Sequence, residues 1–307
     1  MRTVRAVAQL RSKLEPARRE GLTIGLVPTM GALHEGHLSL IRHARSHCDV
    51  VVVSLFVNPA QFNERADLER YPRRESDDAA LAGTAGADFL FTPAVEEVYP
   101  PGFSTSVEVF GVTERLEGAS RGREHFRGVA TVVTKLLCMA MPDVAFFGQK
   151  DAQQVVVIRR LVADLNLPMR IEALPTVREP DGVAMSSRNA LLSADERSRA
   201  VALPAALAAA IEHAAAGERS AQAILAAARE AMRPCGVEPE YLALVAPDTL
   251  EPIDTLDDEA LLALAARIGE TRLIDNAILQ PAGADAVAAA HAPSQPVSGK
   301  AMTTCSA

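Results

Sequence analysis

Apolar and polar positions alternate along the first half of the chain in a pattern typical of an α/β protein. Short apolar runs bounded by Gly, Pro or charged residues predict buried strands, and apolar residues spaced three and four apart predict helices. The predicted strands are 22–27, 51–56, 87–92, 144–148 and 169–174, and the predicted helices between them are 37–47, 75–85, 129–141 and 152–164. Strands that alternate with helices in this way predict a doubly wound, mainly parallel sheet.

The pattern changes in the second half of the chain. Residues 194–233 are rich in Ala at helical spacing and predict helices, whereas 241–246 and 271–279 predict strands. The segment ALLALAARIG, residues 260–269, has the propensity of a helix. Its assignment as a strand rests only on the family resemblance described below.

These patterns divide the chain of 307 residues into three parts. Residues 1–176 predict the doubly wound α/β domain, and residues 177–281 predict a smaller α+β domain. Residues 282–307 mix Ala, Pro, Ser and Gly without periodicity, which predicts a disordered tail.

Composition and charge exclude several classes of function. Apolar stretches stay well short of the roughly 20 residues that span a bilayer, and the N-terminus lacks a secretory signal, so we expect a soluble, cytoplasmic protein. A net charge of −8 argues against a nucleic-acid scaffold. The scattered cysteines, which have no zinc-site spacing, predict reduced thiols; they are Cys48, Cys138, Cys235 and Cys305. A small-molecule partner is therefore expected.

Two histidines follow the first predicted strand in PTMGALHEGHL, residues 28–38. A helix that begins near Gly36 presents free N–H groups and the positive end of its dipole, which attract anions. The imidazoles of His34 and His37 add hydrogen-bond donors suited to a phosphate. A zinc site is an alternative, although the zinc protease motif HExxH has a spacing of four rather than three. Packing or helix capping is the third possibility.

Two further polar clusters follow predicted strands. In VNPAQF, the carboxamides of Asn58 and Gln61 are suited to a polar substrate, although Asn58 before a proline is also typical of a turn. In FFGQKDAQQ, Lys150 can neutralise phosphate and Asp151 can accept hydrogen bonds from a ribose, with an N-cap role as the alternative for Asp151.

A third cluster, DGVAMSSRN, follows a Pro-Asp-Gly turn and contains Ser186, Ser187 and Arg188. A mobile loop with two hydroxyl groups and a guanidinium group is suited to clamp a triphosphate. Capping of the next helix accounts for one serine and leaves the rest of the cluster unexplained.

Taken together, these motifs resemble the pantothenate synthetase family, which belongs to the cytidylyltransferase-like nucleotidyltransferases. The matching motifs are PTMGALHEGHLSLI, FVNPAQF, HFRGVATVV, FFGQKDAQQ, DGVAMSSRN and RLIDNAIL, in the family's order within residues 1–280. The resemblance implies a Rossmann-like domain with a C-terminal lid domain that carries the MSSRN loop. It implies an AMP-forming ligase that condenses (R)-pantoate with β-alanine through a pantoyl adenylate, with ATP as co-substrate and Mg²⁺ as its companion ion. It also implies a homodimer formed through the N-terminal domain.

The resemblance further implies roles for individual residues. Catalytic roles fall to His34, His37, Lys150, Ser186, Ser187 and Arg188. ATP binding involves those residues together with Met30, Gly148, Asp151, Val177 and Met185. Binding of pantoate and β-alanine involves Met30, Asn58, Gln61, Gln154 and Arg121. GASRGREHF is one residue longer than the family form, so Arg123 is an alternative to Arg121 for meeting a substrate carboxylate. Asp77 or Asp78 would orient water molecules on Mg²⁺.

Three other functions compete with this interpretation. A different nucleotidyltransferase could share the histidine pair. A zinc hydrolase built on His34 and His37 is an enzyme of another class. A non-catalytic nucleotide-binding module needs only a phosphate site at a helix end, and it explains neither Gln61 and Gln154 nor the serine-arginine loop.

Overall fold

The computed structural model describes residues 1–62, 68–69 and 71–282. Apart from residue 282, the predicted tail lies outside the described residues, and so does Cys305. Among the residues that are described, no helix has both the length and the apolar character needed to cross a membrane.

Six parallel strands form the first sheet, in the order β1-β4-β3-β2-β5-β6. The strands are β1 (Arg2–Val4), β2 (Ile24–Thr29), β3 (Val50–Leu55), β4 (Phe89–Phe91), β5 (Val144–Gly148) and β6 (Arg170–Leu174). This arrangement confirms the predicted α/β fold and five of its strands to within a few residues. Sequence reasoning missed β1, because three residues are too few to show a period and the strand depends on its pairing with β4.

Helices cover both faces of this sheet. They are α1 (Val7–Arg19), α2 (Glu35–His47), α3 (Glu75–Ala85), α4 (Val95–Val98), α5 (Glu117–Arg121), α6 (Arg123–Ala140) and α7 (Ala152–Asp164). Alternate residues of the central strands pack in opposite directions: Leu26 and Val52 face α1, α6 and α7, whereas Val27, Val51 and Val53 face α2 and α3. Burial on both faces explains why these strands are continuous apolar runs.

The topology brings three polar segments together. β3 and β5 lie on either side of β2, so the carboxyl ends of these three strands meet at the point where the strand order reverses. In open parallel sheets, ligands bind at such a switch point. The histidine motif, the VNPAQF motif and the GQKD motif follow β2, β3 and β5 respectively, so all of them begin at this edge.

The second half of the chain forms a three-stranded antiparallel sheet with helices against it. Its elements are α8 (Ala194–Arg199), α9 (Ala202–Ala215), α10 (Ala221–Met232), β7 (Pro239–Val245), β8 (Ala260–Ile268) and β9 (Thr271–Leu279). The strand at β8 is confirmed despite its helical propensity. Leu261 and Ala263 pack into the core of the first sheet, whereas Leu262 and Leu264 pack against α9 and α10. Tertiary burial on both faces therefore overrides local propensity.

Candidate active site

A strained turn between β2 and α2 positions His34 and His37. Gly31 and Ala32 have positive φ values of 92° and 51°, and a Cβ at Gly31 would lie only 2.9 Å from Leu55 Cδ1. The buried carboxylate of Asp78 on α3 holds this turn, because it accepts hydrogen bonds from the backbone N–H groups of Ala32 (3.0 Å) and Leu33 (2.7 Å). The structure thus gives Asp78 a different role from the expected contact with Mg²⁺-bound water, since both of its oxygens are used by the backbone.

The two histidines cap α2 and remain hydrogen-bond donors. Nδ1 of His34 accepts from the N–H of Gly36 at 3.2 Å, and Nδ1 of His37 accepts from the N–H of His34 at 3.4 Å. Because Nδ1 accepts in each ring, the neutral form carries its proton on Nε2. The ring centroids are 4.1 Å apart.

Burial keeps both rings neutral. Burial and the nearby Lys150 ammonium lower the pKa of His34, and burial with the neighbouring His34 lowers the pKa of His37 to about 3. At neutral pH, two Nε2–H donors therefore accompany the N-terminus of α2. Capping and anion binding are compatible here, because they use different nitrogens of each ring.

The segment after β5 adds a cation. Lys150 lies in a 3₁₀ turn before α7, and its Nζ is 3.6 Å from Oδ1 of Asp151. Burial by itself would raise the pKa of Asp151. The positive charges of Lys150, Arg188 and Arg121 lower the pKa by more than burial raises it, so the net shift is downward and the carboxylate is charged. Asp151 stands at the N-terminus of α7, yet its side chain makes no capping bond within the described part of the chain. The carboxylate instead lies among the positive charges of Lys150, Arg188 and Arg121.

Gln154 lies in the first turn of α7, one turn beyond Lys150. Across the described ranges, no hydrogen bond occupies its side-chain amide. Its neighbour Gln153 is buried, and all its polar atoms bond to the backbone of Val112, Arg115 and Glu117. Two adjacent glutamines thus have opposite roles: one anchors the loop before α5, and the other keeps its bonding capacity.

The serine-arginine loop lies against the start of α2. Met185 donates its backbone N–H to the carbonyl of Val177 at 2.9 Å, which closes a short hairpin before the loop. Cβ of Met185 is 3.9 Å from the position that a Cβ on Gly36 would take. Ser186 Oγ accepts from the N–H of Arg188 at 3.2 Å and so caps the 3₁₀ helix Ser187–Leu191.

Tyr71 is a further residue near this loop. Burial raises its pKa, whereas a hydrogen bond with the Ser187 side chain and the charge of Arg188 act in the opposite direction. Sequence reasoning missed Tyr71, whose only signal was an aromatic residue within the charged stretch RYPRR. Tyr71 therefore lies close to Ser187 and Arg188 of the serine-arginine loop.

The RLIDNAIL motif holds the loop and the Lys150 turn from the second sheet. The buried Asp275 carboxylate accepts two hydrogen bonds from Arg178 in the hairpin, at 2.6 and 3.0 Å. Asn276 Nδ2 donates to the carbonyls of Gln149 and Lys150, both at 2.9 Å. The motif therefore has a structural role, because two polar residues of β9 fix two segments of the site.

After β3, the side chains of Asn58 and Gln61 bond to each other, and Asn58 is the more fully bonded of the two. Asn58 is 1% exposed, and its oxygen accepts from the Ala60 N–H at 3.3 Å and the Tyr99 hydroxyl at 2.8 Å. Its amide donates to the carbonyl of Gly128 and to Oε1 of Gln61, both at 3.1 Å. Asn58 was expected to bind a substrate; the structure instead places it behind Gln61, because its bonding capacity is filled. Gln61 in turn donates to Met30 Sδ at 3.0 Å.

Of the two candidate arginines, Arg121 lies closer to the site. The side chain of Arg123 is 57% exposed, bonds Glu108 at 3.1 Å and lies over the Phe110 ring. The side chain of Arg121 is 28% exposed, and its charge lowers the pKa of both Asp151 and His125.

His125 holds the backbone of Gln61. Its Nδ1–H donates to the Gln61 carbonyl at 2.9 Å, and burial followed by the charge of Arg121 lowers its pKa to about 4. Sequence reasoning missed His125 as a site residue, although it stands in the HFRG motif. Gly128 in the same motif allows the backbone of residue 60 to pack closely, since a Cβ at position 128 would lie 2.2 Å from the carbonyl oxygen of Ala60.

The structure therefore collects most of the predicted site residues at one edge of the first sheet, and it gives neither Asp77 nor Asp78 the expected place beside Mg²⁺-bound water. Asp77 is exposed on α3, and Asp78 is buried beneath the turn after β2. Among the described residues, no group of three or more His, Cys, Asp or Glu side chains could hold a metal ion. The site as built can bind an anion and hold a polar substrate beside it.

Comparison with known proteins identifies the family. The family model described as pantoate-beta-alanine ligase matches residues 2–278. The pantothenate synthetase of Cereibacter sphaeroides is 54% identical over 274 residues, which cover 89% of this chain and 98% of that protein. The pantothenate synthetase of Rhizorhabdus wittichii is 53% identical over 285 residues, which cover 92% of this chain and 100% of that protein.

Solved structures agree with this match. The pantothenate synthetase from Thermus thermophilus superposes with a TM-score of 0.87 at 47% identity, covering 92% of this chain and 100% of that one. The pantoate-beta-alanine ligase from Francisella tularensis, complexed with beta-gamma ATP and beta-alanine, gives a TM-score of 0.75 at 34% identity and covers 91% and 97% of the two chains. The resemblance seen in the sequence is thereby confirmed, and the chain belongs to the pantoate-beta-alanine ligase family.

Proposed function

We propose that the protein joins (R)-pantoate to β-alanine in two steps, through an enzyme-bound pantoyl adenylate. ATP-dependent ligation of these two substrates follows from membership of the family. The observation that carries the proposed site is the meeting of two neutral Nε2–H donors, the N-terminus of α2 and Lys150 at the switch point of the sheet. These groups match a triphosphate whose charge shifts during reaction.

In the first step, a carboxylate oxygen of pantoate attacks the α-phosphorus of ATP, and the bond to pyrophosphate breaks. Catalysis of such a step is mostly alignment and charge stabilisation. His34 and His37 donate to the phosphate oxygens through Nε2, and they stay neutral because of their lowered pKa values. Lys150, Ser186, Ser187 and Arg188 hold the departing pyrophosphate, while Gly148 and Asp151 face the ribose, and the backbone at Val177 and Met185 lines the adenine pocket.

In the second step, the β-alanine amine attacks the acyl carbon of the adenylate. The C–N bond forms, the amine loses a proton, and AMP leaves. Gln61 and Gln154 bind pantoate during both steps, with Met30 as an apolar wall. Asn58 holds Gln61 from behind, as its buried hydrogen bonds imply. Arg121 binds the β-alanine carboxylate, because the pantoate carboxylate is consumed by the reaction and β-alanine keeps its own.

Mg²⁺ is proposed to enter with ATP. The described residues build no cage of metal ligands, and Asp78 is committed to the backbone. Mg²⁺ is commonly held by substrate phosphates and several waters rather than by a protein cage. The ion would supply charge neutralisation of the triphosphate when bound, and the residues of this chain bind the phosphates around it.

The competing functions are not favoured. A zinc site on His34 and His37 lacks a third ligand within the described residues, and Nδ1 of each ring is occupied by a backbone N–H. A simple nucleotide-binding module leaves Gln154 and the Gln61 pair with Met30 without a purpose.

Three broader features belong to the same proposal. Residues 177–281 act as a lid domain, which is supported by the attachment of the serine-arginine loop to β9 through Arg178. The protein acts as a homodimer, and sedimentation equilibrium that returns the monomer mass would contradict this. It works in the cytoplasm, in keeping with the free thiols of Cys48, Cys138 and Cys235.

The activity is tested by supplying ATP and Mg²⁺ with (R)-pantoate and β-alanine, together and separately. The expected result is continued turnover, with AMP, pyrophosphate and pantothenate formed in equal amounts, only when all substrates are present. AMP formation that proceeds at full rate without pantoate would contradict the proposal.

A further inference from the structure

Charged side chains of alternating sign form a continuous chain between Arg121 and the second sheet. Glu117 Oε2 bonds Arg121 Nε at 3.0 Å and Arg272 Nη1 at 2.6 Å. Arg272 Nε bonds Glu240 Oε2 at 2.5 Å, and Glu240 also bonds Arg267 at 3.3 Å. Arg121 and Glu117 belong to α5, whereas Arg272 and Glu240 belong to β9 and β7, so the chain of charges crosses the junction between the two sheets.

The middle of this chain is buried. The Glu117 side chain is 10% exposed and that of Arg272 is 12% exposed. Burial would raise the pKa of Glu117, but its hydrogen bond with Arg272 and the charges of Arg272 and Arg121 outweigh it, so the net shift is downward. Burying such a pair is costly and often adds little to stability compared with an apolar pair, so its presence needs another reason.

The backbone of Glu117 is fixed as firmly as its side chain. Gln153 Oε1 accepts the N–H of Glu117 at 2.9 Å, and Gln153 Nε2 donates to the carbonyls of Val112 and Arg115. Leu116 holds a left-handed φ of 47°, which is strained for a branched side chain and persists only where the surroundings impose it. The start of α5 is thus locked to the first turn of α7, the turn that carries Gln154.

We infer that Glu117 and Arg272 are positioning residues that orient Arg121 toward the substrate carboxylate. The inference rests on the proposed function, in which Arg121 binds β-alanine. Glu117 fixes the Nε side of the guanidinium group, and Arg272 fixes Glu117 from the second sheet. Because Arg272 comes from the C-terminal part of the chain, it holds Glu117, and through Glu117 it acts on Arg121, only while that part is docked on the first sheet. Binding of the second substrate is thereby coupled to the placement of the serine-arginine loop, which Asp275 on the same strand β9 also holds.

A double-mutant cycle tests whether Glu117 and Arg272 act on β-alanine binding through Arg121, which we call the relay. Arg121→Ala removes a charge-assisted hydrogen bond, so we expect the KM for β-alanine to rise by roughly 10- to 100-fold. Glu117→Gln keeps the shape of the side chain and should raise the same KM by roughly 10-fold, with pantoate-dependent exchange of pyrophosphate into ATP changed less than about twofold. In the double variant, Glu117→Gln should add nothing to the effect of Arg121→Ala, because it acts through Arg121.

Arg272 provides the second arm of the test. Arg272→Lys, which keeps the charge, should retain more affinity for β-alanine than Arg272→Met. The two variants are compared at equal melting temperature, so that a loss of fold is separated from a loss of orientation of Arg121. Arg219→Gln is the matched control, because it breaks an exposed 2.7 Å ion pair with Asp257 in the same part of the chain. This control variant should keep the KM for each substrate within about twofold of the wild-type value.

Additive effects of Glu117→Gln and Arg121→Ala on the β-alanine KM would overturn the relay and leave the proposed ligase function in place. An unchanged β-alanine KM in Arg121→Ala, in an enzyme that still makes pantothenate, would overturn both the assignment of Arg121 and the relay. Equal behaviour of Arg272→Lys and Arg272→Met in folded protein would also contradict the inference.

Discussion

Two groups of polar side chains meet at the carboxyl edge of the first sheet, and they differ in what their hydrogen bonds are used for. The open group, His34, His37, Lys150 and Gln154, keeps donors available toward the site. The saturated group, Asp78, Asn58 and Gln153, is buried and bonded to backbone or to neighbouring side chains. The two groups contain similar residue types, often next to each other in sequence. Function therefore depends on which neighbour retains bonding capacity, and the saturated group fixes the geometry of the open one.

The largest expected effect concerns the open group at the helix end. His34→Ala or His37→Ala should lower kcat by about a hundred- to a thousand-fold, because each change removes a donor to the charge at the reacting phosphorus. The loss of a helix cap should lower the free energy of unfolding by only about 1 kcal/mol. Steady-state kinetics and chemical denaturation of the same preparations measure both. Near-normal turnover in a folded double variant would remove the pair from the mechanism.

Substitutions in the saturated group should lower stability more than they lower kcat. Asp78→Ala leaves one buried and one partly buried backbone N–H group without a partner, so the free energy of unfolding should fall by about 2 to 4 kcal/mol. Asp77→Ala is the matched control one residue away, and its exposed side chain should change stability by less than about 0.5 kcal/mol. If Asp78→Ala melted like the wild type while the Mg²⁺ requirement rose, Asp78 would act on the ion rather than on the turn.

The adjacent glutamines sharpen the comparison at single-residue resolution. Gln154→Ala should raise the KM for pantoate by about 10-fold at unchanged melting temperature, through loss of one substrate hydrogen bond. Gln153→Ala should instead lower the free energy of unfolding by about 2 kcal/mol, because the Glu117 N–H loses its partner. Interchanged results for the two variants would mean that the assignment of the open and saturated groups is wrong here.

The last expected effect is on the dependence of stability on pH. The folded pKa values of His37 and His125, about 3 and about 4, lie below the ordinary value of a histidine. The unfolded chain therefore binds more protons as the pH falls below roughly 6.5, and stability should decrease from there toward pH 4 by up to about 1.4 kcal/mol per unit for each histidine. Denaturation between pH 7 and 5 measures the slope, and His125→Gln should reduce it. A slope unaltered by that change would contradict the neutral, buried state of His125.

Much of this comparison could be predicted from the sequence, and its limits have a physical cause. Continuous apolar runs predict the parallel sheet because its strands are buried on both faces, and the motif positions after β2, β3 and β5 locate the site. Sequence could not separate Asn58 from Gln61, or assign Asp78 to the turn after β2, since those roles depend on contacts between distant segments. The strand β8 was predicted only through family resemblance, because its Ala-rich sequence has the local preference of a helix.

Residues that act through long-range contacts gave the weakest sequence signals. Glu117, Tyr71 and Asn276 lie far apart in the chain, and the sequence alone predicted no chemical role for any of them. The fold brings them next to residues for which we propose a chemical role: Arg121 for Glu117, Ser187 and Arg188 for Tyr71, and the backbone of Lys150 for Asn276. A single sequence shows which residue types are present, whereas burial decides which of their atoms remain available.

The central claim is that pantoate is activated on the enzyme before β-alanine takes part, because the open group and Gln61 already hold every participant of the first step. Isotope exchange tests this most directly, with labelled pyrophosphate, ATP, Mg²⁺ and (R)-pantoate in the absence of β-alanine. We predict that label enters ATP under these conditions, that exchange stops when pantoate is omitted, and that Lys150→Ala abolishes most of it. Exchange that strictly requires β-alanine would contradict a separate adenylation step and the arrangement of the site proposed for it.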